Sequence, residues 1–318
     1  MIREFALEPE MLKSELVQYY LRSNVGVCKG QFISKCPKNW SNAVAAWPKI
    51  RELYIALDRR KAFRDFDRQV DWDNAQSWSD NIEQNNEQIA FDVIIQSEAI
   101  KALETVVTLN NWPDKEDLLD RDNHLFARIP KRADEIARVL GSLGKISSKL
   151  MFADPYLYSA EDRFLNVYFE TLNVSKVSQK TTVELHTKFS FKDQGRNKSW
   201  EMLSKPDLEN QLHLAKQRFE KSLLPRLNQF SDALSINVYV WGEREGGTNF
   251  HDRYFLTELG GMKLGAGTDE ATTNQTKGHE VNIDHLKKQE WEHTTNRLHP
   301  DATFYEKLSA WTFGRDES

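Results

Sequence analysis

The chain is poor in cysteine and has no long hydrophobic run. Cys28 and Cys36 are its only cysteines, with no second pair and no histidine beside them, so we expect reduced thiols and not a zinc site. No stretch approaches the roughly 20 apolar residues that are needed to cross a bilayer. The first residues also lack the apolar region of a signal peptide. These absences predict a cytoplasmic protein without a transmembrane segment.

Internal repeats, low-complexity tracts and cofactor fingerprints are absent as well. Neither Gly246-Gly247 nor the Gly265/Gly267 pair lies between a strand and a helix, as a dinucleotide or P-loop fingerprint requires. Four histidines near the C-terminus are spaced by six, eight and six residues, which matches no i, i+4 metal pair: His279, His285, His293 and His299. We therefore expect neither a nucleotide cofactor nor a metal ion.

The chain does contain enough apolar material for a substantial core. Hydrophobic residues make up 39% of the 318 residues and aromatic residues 11%, and nine residues are tryptophan. Such a composition argues against disorder. The length accommodates two domains of roughly 100–200 residues each.

The first 145 residues have apolar positions mainly at helical spacing. The clearest segments are 8–22, 39–68 and 89–109, with a short strand around Val93 as the alternative for the last of them. Residues 71–87 are polar and are typical of a loop. We therefore predict a mainly helical N-terminal region over residues 1–145.

From residue 146 onward, strand-like and helix-like segments alternate. Strands are predicted at 149–153, 182–191 and 236–241, and amphipathic helices are predicted between and after them, at 161–172, 206–230 and 283–296. A hairpin is predicted to follow the third strand. This order predicts a mixed α/β domain over residues 146–318, so the fold class is a helical region followed by an α/β sheet domain.

A basic stretch lies between Arg22 and Arg68, with eleven basic residues against four acidic ones. Five of its cations would form a stripe on a helix, because positions three and four apart are neighbours: Arg59, Arg60, Lys61, Arg64 and Arg68. With interleaved aromatic residues, such a stripe indicates a surface for nucleic acid or an acidic partner. The alternative is a solvated helix face around a packed core, which is the commoner use of such a run.

The hairpin carries the most informative motif, Phe250-His251-Asp252-Arg253 followed by Glu258. On a strand, His251 and Arg253 would share one face because side chains alternate with period two. The following segment, Gly260 to Glu270, predicts a glycine turn into a second strand. A histidine, a cation and a carboxylate displayed together suit the binding of, or attack on, a phosphodiester.

This spacing resembles the HxK(x)4D(x)6G signature of the phospholipase D superfamily. In this chain Arg253 stands for the lysine, Glu258 for the aspartate, and Gly265-Ala266-Gly267-Thr268 for Gly-Ser-x-Asn. The closest pattern is that of the phospholipase D-like C-terminal domain of MIT-domain proteins, which has a similar Asp-Pro-Tyr strand, His-Asp-Arg hairpin and glycine-rich arm ending in Asp. The resemblance covers about residues 148–270. It implies a domain that binds partners or membranes without catalysis, with five ligand-binding candidates: Asp154, Tyr156, Gly265, Gly267 and Asp269.

Phosphodiester chemistry in the superfamily needs a histidine nucleophile, a second histidine as general acid, and cations for the developing charge. His251 is the candidate nucleophile, oriented by Glu258, and Arg253 the phosphate ligand. A symmetric dimer would supply the second histidine. Backbone N–H groups of Gly265 and Gly267 would replace the missing Ser and Asn donors. The structural alternative is that Asp154 or Asp269 satisfies a buried His251 and Arg253.

A second candidate pair is His186 and Lys188, with four residues between Lys188 and Asp193. This fits HxK(x)4D more closely, but no Gly-Ser-x-Asn follows. If His186 faced the same cleft as Asp154 and His251, one chain would contain both catalytic histidines, because clefts form at the carboxyl ends of parallel strands.

The sequence thus predicts a phosphate-recognising, catalytically degenerate phospholipase D-like subunit of a cytoplasmic assembly acting on nucleic acid. Its helical front resembles that of bacterial accessory proteins of mobile-element or phage-defence loci. Other protein subunits and nucleic acid are the expected partners. One alternative is a homodimeric, metal-independent nuclease with His251 as nucleophile; a second is a protein-binding scaffold.

Overall fold

The chain forms two compact units, Met1–Phe126 and Ala127–Ser318. A computed structural model describes residues 3–26, 30–35, 45, 47–60, 62–65, 70–98, 103–119, 126–178, 180–193, 196–230, 234–244, 249–265, 269–271 and 279–314. Within these ranges, no helix is both long enough and apolar enough to cross a membrane.

The N-terminal unit is built on a five-stranded parallel sheet in the order β3-β2-β1-β4-β5. Its strands are β1 (Arg3–Leu7), β2 (Gln31–Lys35), β3 (Phe63–Asp65), β4 (Val93–Ile95) and β5 (Val106–Val107). Its described helices are α1 (Glu15–Asn24), α2 (Pro48–Arg59), α3 (Trp78–Gln88) and α4 (Glu116–Leu119).

This parallel sheet corrects the expectation of a mainly helical N-terminal region. The strands are two to five residues long; β4 and β5 are buried throughout, and β1 is buried at every position except Glu4. Strands buried on both faces carry apolar runs without alternation, and short runs of this kind cannot be distinguished from helix by periodicity. The polar segment 71–87 was also expected to be a loop, yet α3 begins within it. The Ser77 hydroxyl accepts a hydrogen bond from Asp80 N at 3.1 Å and caps this helix.

The C-terminal unit contains an eight-stranded mixed sheet in the order β15-β11-β8-β7-β12-β13-β14-β6. The strands of the sheet are β6 (Phe126–Pro130), β7 (Lys149–Ala153), β8 (Thr182–Lys188), β11 (Ile236–Gly242), β12 (Arg253–Thr257), β13 (Gly261–Leu264), β14 (Glu280–His285) and β15 (Glu306–Phe313). The short pair β9 (Phe191–Asp193) and β10 (Arg196–Lys198) forms a separate antiparallel ribbon. The described helices are α5 (Ala133–Gly144), α6 (Asp162–Ser175), α7 (Lys205–Leu227) and α8 (Lys288–Arg297).

The central strands β7, β8 and β11 are parallel, and β12 and β13 continue the sheet as an antiparallel hairpin. On one face, Phe152 packs against Tyr168 of α6 and against Phe255. On the other face, Met151 and Leu256 belong to a buried cluster with Leu286 and Leu298. Side chains of β7 and β12 thus alternate between two packed layers.

Several predicted elements agree closely with the structure. The strands predicted at 149–153 and 236–241 correspond to β7 and β11, and the helix predicted at 206–230 is α7, which Pro225 does not interrupt. The helix predicted at 283–296 begins later than expected, because β14 extends to His285 and α8 begins only at Lys288. The division between the units falls after Phe126 and not after residue 145, since β6 joins the second sheet.

Candidate functional site

The candidate site lies where β7 ends and β12 begins. Because β12 runs antiparallel to β7 and to β13, the end of β7, the start of β12 and the end of β13 meet at one edge of the sheet. That edge brings together Asp154, Tyr156, Arg253 and Gly265, and we refer to these four residues as the Arg253 site. The sequence motifs that carry these residues are far apart in the chain, and the sheet order makes them neighbours.

Arg253 is held by an aromatic ring and a carbonyl. Its guanidinium carbon lies 4.7 Å from the centre of the Tyr156 ring, and Nη1 donates a long hydrogen bond of 3.4 Å to the Gly265 carbonyl. Nε is shielded from solvent and has no hydrogen-bond partner among the described residues, and the side chain as a whole is partly exposed. The guanidinium is therefore positioned while part of its donor capacity is unused.

Asp154 is fully buried and holds the turn that carries Tyr156. One carboxylate oxygen accepts from the Tyr156 backbone N–H at 2.7 Å, and the other accepts from the Tyr168 hydroxyl at 3.3 Å. Asp154 therefore positions the ring on which Arg253 stacks. Thr187 lies beside Asp154 in the sheet, because Ala153 and His186, the residues just before them, are register partners in the β7–β8 pair. Thr187 is buried, and its hydroxyl has no hydrogen-bond partner within the described ranges.

Asp269 is paired with two cations. Lys131 Nζ lies 2.8 Å from one of its carboxylate oxygens and Arg163 Nη1 lies 3.7 Å from the other. Backbone hydrogen bonds from Glu270 N to the Arg163 carbonyl and from Ala271 N to the Lys131 carbonyl hold the segment in place. The Asp269 carboxylate is thus already paired with these two cations, and it forms no ion pair with His251 or Arg253.

Of the two glycines expected to donate backbone N–H groups to a ligand, Gly265 lies within the described residues. The Gly265 N–H donates to the Asn282 carbonyl at 2.8 Å, so it is already committed within the sheet. Gly267 lies outside the described residues. The expectation that the Gly265 N–H replaces the missing Ser and Asn donors is therefore wrong.

His251 lies just before β12 and is exposed. It lines a shallow pocket with Asp252, Tyr254, Arg297 and Tyr305, among others. No hydrogen bond to a described residue orients its imidazole. Because His251 is exposed, the alternative that it is a buried residue hydrogen-bonded to Asp154 or Asp269 is wrong.

The carboxylate beside His251 is engaged elsewhere. Asp252 forms an ion pair with Lys263 at 3.0 Å and accepts a hydrogen bond from the Tyr254 hydroxyl at 2.9 Å. Burial alone would raise the pKa of Asp252, but the bonds from Lys263 and Tyr254 outweigh it and lower that pKa. Asp252 is therefore an ionised structural carboxylate and not the partner of His251.

Glu258 lies at the opposite end of β12 from Arg253. Its carboxylate accepts from Ser148 N at 2.6 Å, from the Ser148 hydroxyl at 2.9 Å and from Lys149 N at 3.0 Å. The five-residue strand separates it from Arg253 by roughly 17 Å. The expected role of Glu258 in orienting His251 is therefore wrong: this carboxylate anchors the start of β7.

His186 is completely buried and both ring nitrogens are engaged. The Trp241 Nε1–H donates to Nδ1 at 3.1 Å, and Nε2 lies 3.2 Å from a Glu184 carboxylate oxygen. Because an indole N–H only donates, Nδ1 must accept, so the proton resides on Nε2 and points to Glu184. Tyr239 stacks on the ring, with centroids 4.8 Å apart.

This arrangement corrects the expectation that His186 shares a cleft with Asp154. His186 is paired with Ala153 in the β7–β8 register, so it points to the face opposite Asp154, which is one residue further along. Burial lowers the pKa of His186, and Glu184 opposes that effect only in part. Burial would raise the pKa of Glu184, but the bonds from His186 and from Lys149, at 2.8 Å, lower it overall. The group is a neutral histidine beside an ionised, lysine-paired glutamate.

Lys188 forms an ion pair of 2.7 Å with Glu243, whose other oxygen accepts from the Phe250 backbone N–H at 2.5 Å. It therefore supports the segment that leads to His251 without reaching the Arg253 site.

The basic stripe does not lie on one helix. α2 ends at Arg59, the Arg60 guanidinium donates to the Arg22 carbonyl, and Arg64 lies in β3 with its guanidinium carbon 5.7 Å from the Phe32 ring centre. Lys61 and Arg68 lie outside the described residues. Arg59 and Arg60 are exposed, whereas Arg64 is partly buried.

Sequence reasoning missed the partners of these residues. Glu184 was detectable, since it lies two positions before His186 on one strand and must share its face. Lys131 and Trp241 carried no such signal, because only the tertiary structure brings them to Asp269 and His186.

No protein-family model matches the chain, and no curated protein is significantly similar to it. Among the described residues, no three His, Cys, Asp or Glu side chains are grouped as metal ligands would be.

Proposed function

We propose that the C-terminal unit is a phosphate-recognising domain of the phospholipase D-like type, with Arg253 as its anion ligand and without a complete catalytic apparatus. The protein would act as a subunit of a cytoplasmic assembly directed at nucleic acid.

The proposal depends on one observation, which is that the Arg253 guanidinium is not ion-paired with a carboxylate of a described residue. Other cations along this edge of the sheet are ion-paired: Lys131 with Asp269, Lys188 with Glu243, and Arg244 with Glu306. No carboxylate of a described residue forms an ion pair with Arg253. A guanidinium that is stacked on Tyr156 and retains unused donors is suited to bidentate binding of phosphate oxygens.

The surroundings of the site favour an anion of low charge. Asp154 is buried close by, and Asp269 offsets the charges of Lys131 and Arg163. A phosphodiester carries one negative charge per phosphate, whereas a phosphomonoester carries nearly two. We therefore propose the nucleic-acid backbone as the phosphate source.

The histidines support binding in preference to catalysis. A nucleophilic histidine needs an oriented ring and a second acid–base group within reach. His251 has no orienting bond to a described residue, Glu258 is bound at the far end of β12, and His186 is enclosed on the opposite face.

The test is fluorescence anisotropy with labelled single-stranded and duplex DNA and RNA, comparing the full chain with Arg253→Gln. Loss of a charge-assisted contact should weaken binding roughly tenfold or more and reduce the dependence of log K on log salt by about one. Arg132→Gln is the matched control, because Arg132 is exposed and paired with Asp134. Equal binding by wild type and Arg253→Gln would contradict the proposal, as would binding only to anionic lipid vesicles.

A nuclease assay in EDTA with wild type and His251→Ala tests the rival enzyme. We expect no cleavage by either protein. Cleavage by the wild type that is lost in His251→Ala would establish the histidine-nucleophile phosphodiesterase instead, with the second histidine supplied by a second chain.

A further inference from the structure

Two buried side chains of the N-terminal unit have hydrogen-bond donors without partners. Arg3 begins β1 and is 3% exposed, and Gln31 begins β2 and is 1% exposed. Arg3 Nη1 and Gln31 Nε2 are both shielded from solvent and make no hydrogen bond to a described residue. Buried polar groups are nearly always hydrogen-bonded in native proteins, so two such groups together require an explanation.

The two side chains are neighbours on one face of the sheet. Arg3 and Gln31 are register partners in the parallel β1–β2 pair, and adjacent strands lie roughly 4.8 Å apart. The Tyr20 hydroxyl lies 3.0 Å from Gln31 Oε1 and 3.1 Å from the Leu119 carbonyl, so its single proton is shared between these two acceptors in a three-centre hydrogen bond. Since Tyr20 occupies the oxygen end of the Gln31 amide, the NH2 end is the one left to bind something else.

The charge of Arg3 is also incompletely balanced. Its guanidinium carbon lies 5.4 Å from the centre of the Phe5 ring, which supplies a cation–π contact. No carboxylate of a described residue forms an ion pair with it. Burial lowers the pKa of Arg3, and Asp92 and Tyr20 act in the opposite direction, yet an arginine remains protonated at neutral pH. A cation removed from water without a hydrogen-bonded anion carries a large desolvation cost.

We propose that Arg3 and Gln31 form an enclosed binding site for one small anion, either chloride or a carboxylate. Both unused groups only donate, so the ligand that satisfies them accepts at every contact. An anion also balances the guanidinium charge, which a water molecule would not do. The near-complete burial of both residues limits the ligand to a few atoms.

The experiment is hydrogen exchange of the β1 and β2 amides in the full-length protein, at fixed pH and ionic strength. Sodium gluconate, whose anion is too bulky for an enclosed site, is compared with sodium chloride, sodium acetate and sodium phosphate. A ligand that binds only the folded state stabilises it with a saturable concentration dependence. We expect chloride or acetate to slow exchange several-fold in these two strands, and the more effective of the two identifies the source of the anion.

The matched variants are Arg3→Met and the exposed control Arg132→Met. Arg3→Met should lose the anion effect, while Arg132→Met should keep it, which separates site binding from general salt effects on water. The same anion dependence in Arg3→Met and wild type would overturn the proposal.

A measurement on the wild type alone covers the case in which Arg3→Met does not fold. Crystals grown or soaked in sodium bromide should show an anomalous peak beside Arg3 Nη1 and Gln31 Nε2. An ordered water there, without anomalous signal, would refute the anion site.

Discussion

Trp241 donates its indole N–H to Nδ1 of His186 at 3.1 Å, and this bond fixes the histidine as the Nε2–H tautomer within the sheet. The rings of the two residues are nearly parallel, at 8°. His186 looks like half of a catalytic motif in the sequence, whereas in the fold it is a neutral structural residue that connects Trp241 to Glu184.

The burial of His186 predicts a loss of stability in mild acid. Its folded-state pKa lies below the ordinary value of 6.5, so the unfolded state binds the proton more readily. This contribution to the free energy of unfolding is complete above about pH 6.5 and is lost as the pH falls toward the folded-state pKa. Urea unfolding between pH 7.5 and 5 measures it.

The variant His186→Gln should remove that part of the pH dependence and leave a protein that is less stable at pH 7.5. His251→Gln is the control, since His251 is exposed, and should keep the wild-type profile. An unchanged profile in His186→Gln would assign the acid sensitivity to another group.

Glu184 should cause a second loss at lower pH. Its pKa is held below the ordinary 4.5 by His186 and Lys149, so its stabilising contribution is present above pH 4.5 and disappears as the pH falls below that value. Lys149→Met should weaken this second phase, because it removes one of the two groups that stabilise the carboxylate. The same urea series, extended to pH 3, tests the prediction, and an identical acid limb in wild type and Lys149→Met would contradict it.

Replacing Glu258 should affect stability and not ligand binding. Glu258→Gln weakens three hydrogen bonds to Ser148 and Lys149, and we expect a loss of about 1 kcal/mol in unfolding free energy for an exposed anchor of this kind. Oligonucleotide affinity of the folded variant should equal that of the wild type. A selective loss of affinity without a loss of stability would restore Glu258 to the site.

Tyr156→Leu should weaken phosphate binding while the fold remains intact. Tyr156 is 53% exposed, so its ring contributes little to the core, but it supports the Arg253 guanidinium at 4.7 Å. Loss of that cation–π contact leaves Arg253 less ordered, and we expect a several-fold loss of oligonucleotide affinity. Tyr156→Phe keeps the ring and is the control; equal losses in both variants would rule out stacking as the cause.

Gly144 should be sensitive to a single added methyl group. A Cβ on Gly144 would lie 2.8 Å from Ser175 Cβ, at the contact between α5 and α6, whereas a Cβ on Gly265 would find its nearest neighbour at 3.5 Å. Gly144→Ala should therefore cost roughly 1–3 kcal/mol through overpacking, and Gly265→Ala should cost much less. Thermal or urea unfolding of the two variants checks the difference.

The sequence predicted much of the C-terminal unit because its elements leave local signals. Leu150–Ala153 is a compact apolar run before Asp154-Pro155, and α7 has a Ser204 cap with an apolar stripe. The N-terminal unit was predicted poorly for the opposite reason. Its short, buried strands do not alternate, so a run such as Val93–Ile95 reads equally well as part of a helix.

The sequence by itself determined which residue types are present for chemistry, and by motif alone it placed Arg253 on a strand and Tyr156 after another strand in an Asp-Pro-Tyr turn. Only the tertiary structure decided which of those residues meet. Strand order and register brought Arg253 to Tyr156 and Gly265, carried Glu258 to the other end of β12, and turned His186 away from Asp154. The physical reason is that a side chain's direction follows from local alternation, whereas its neighbours depend on pairings between strands that are distant in the chain.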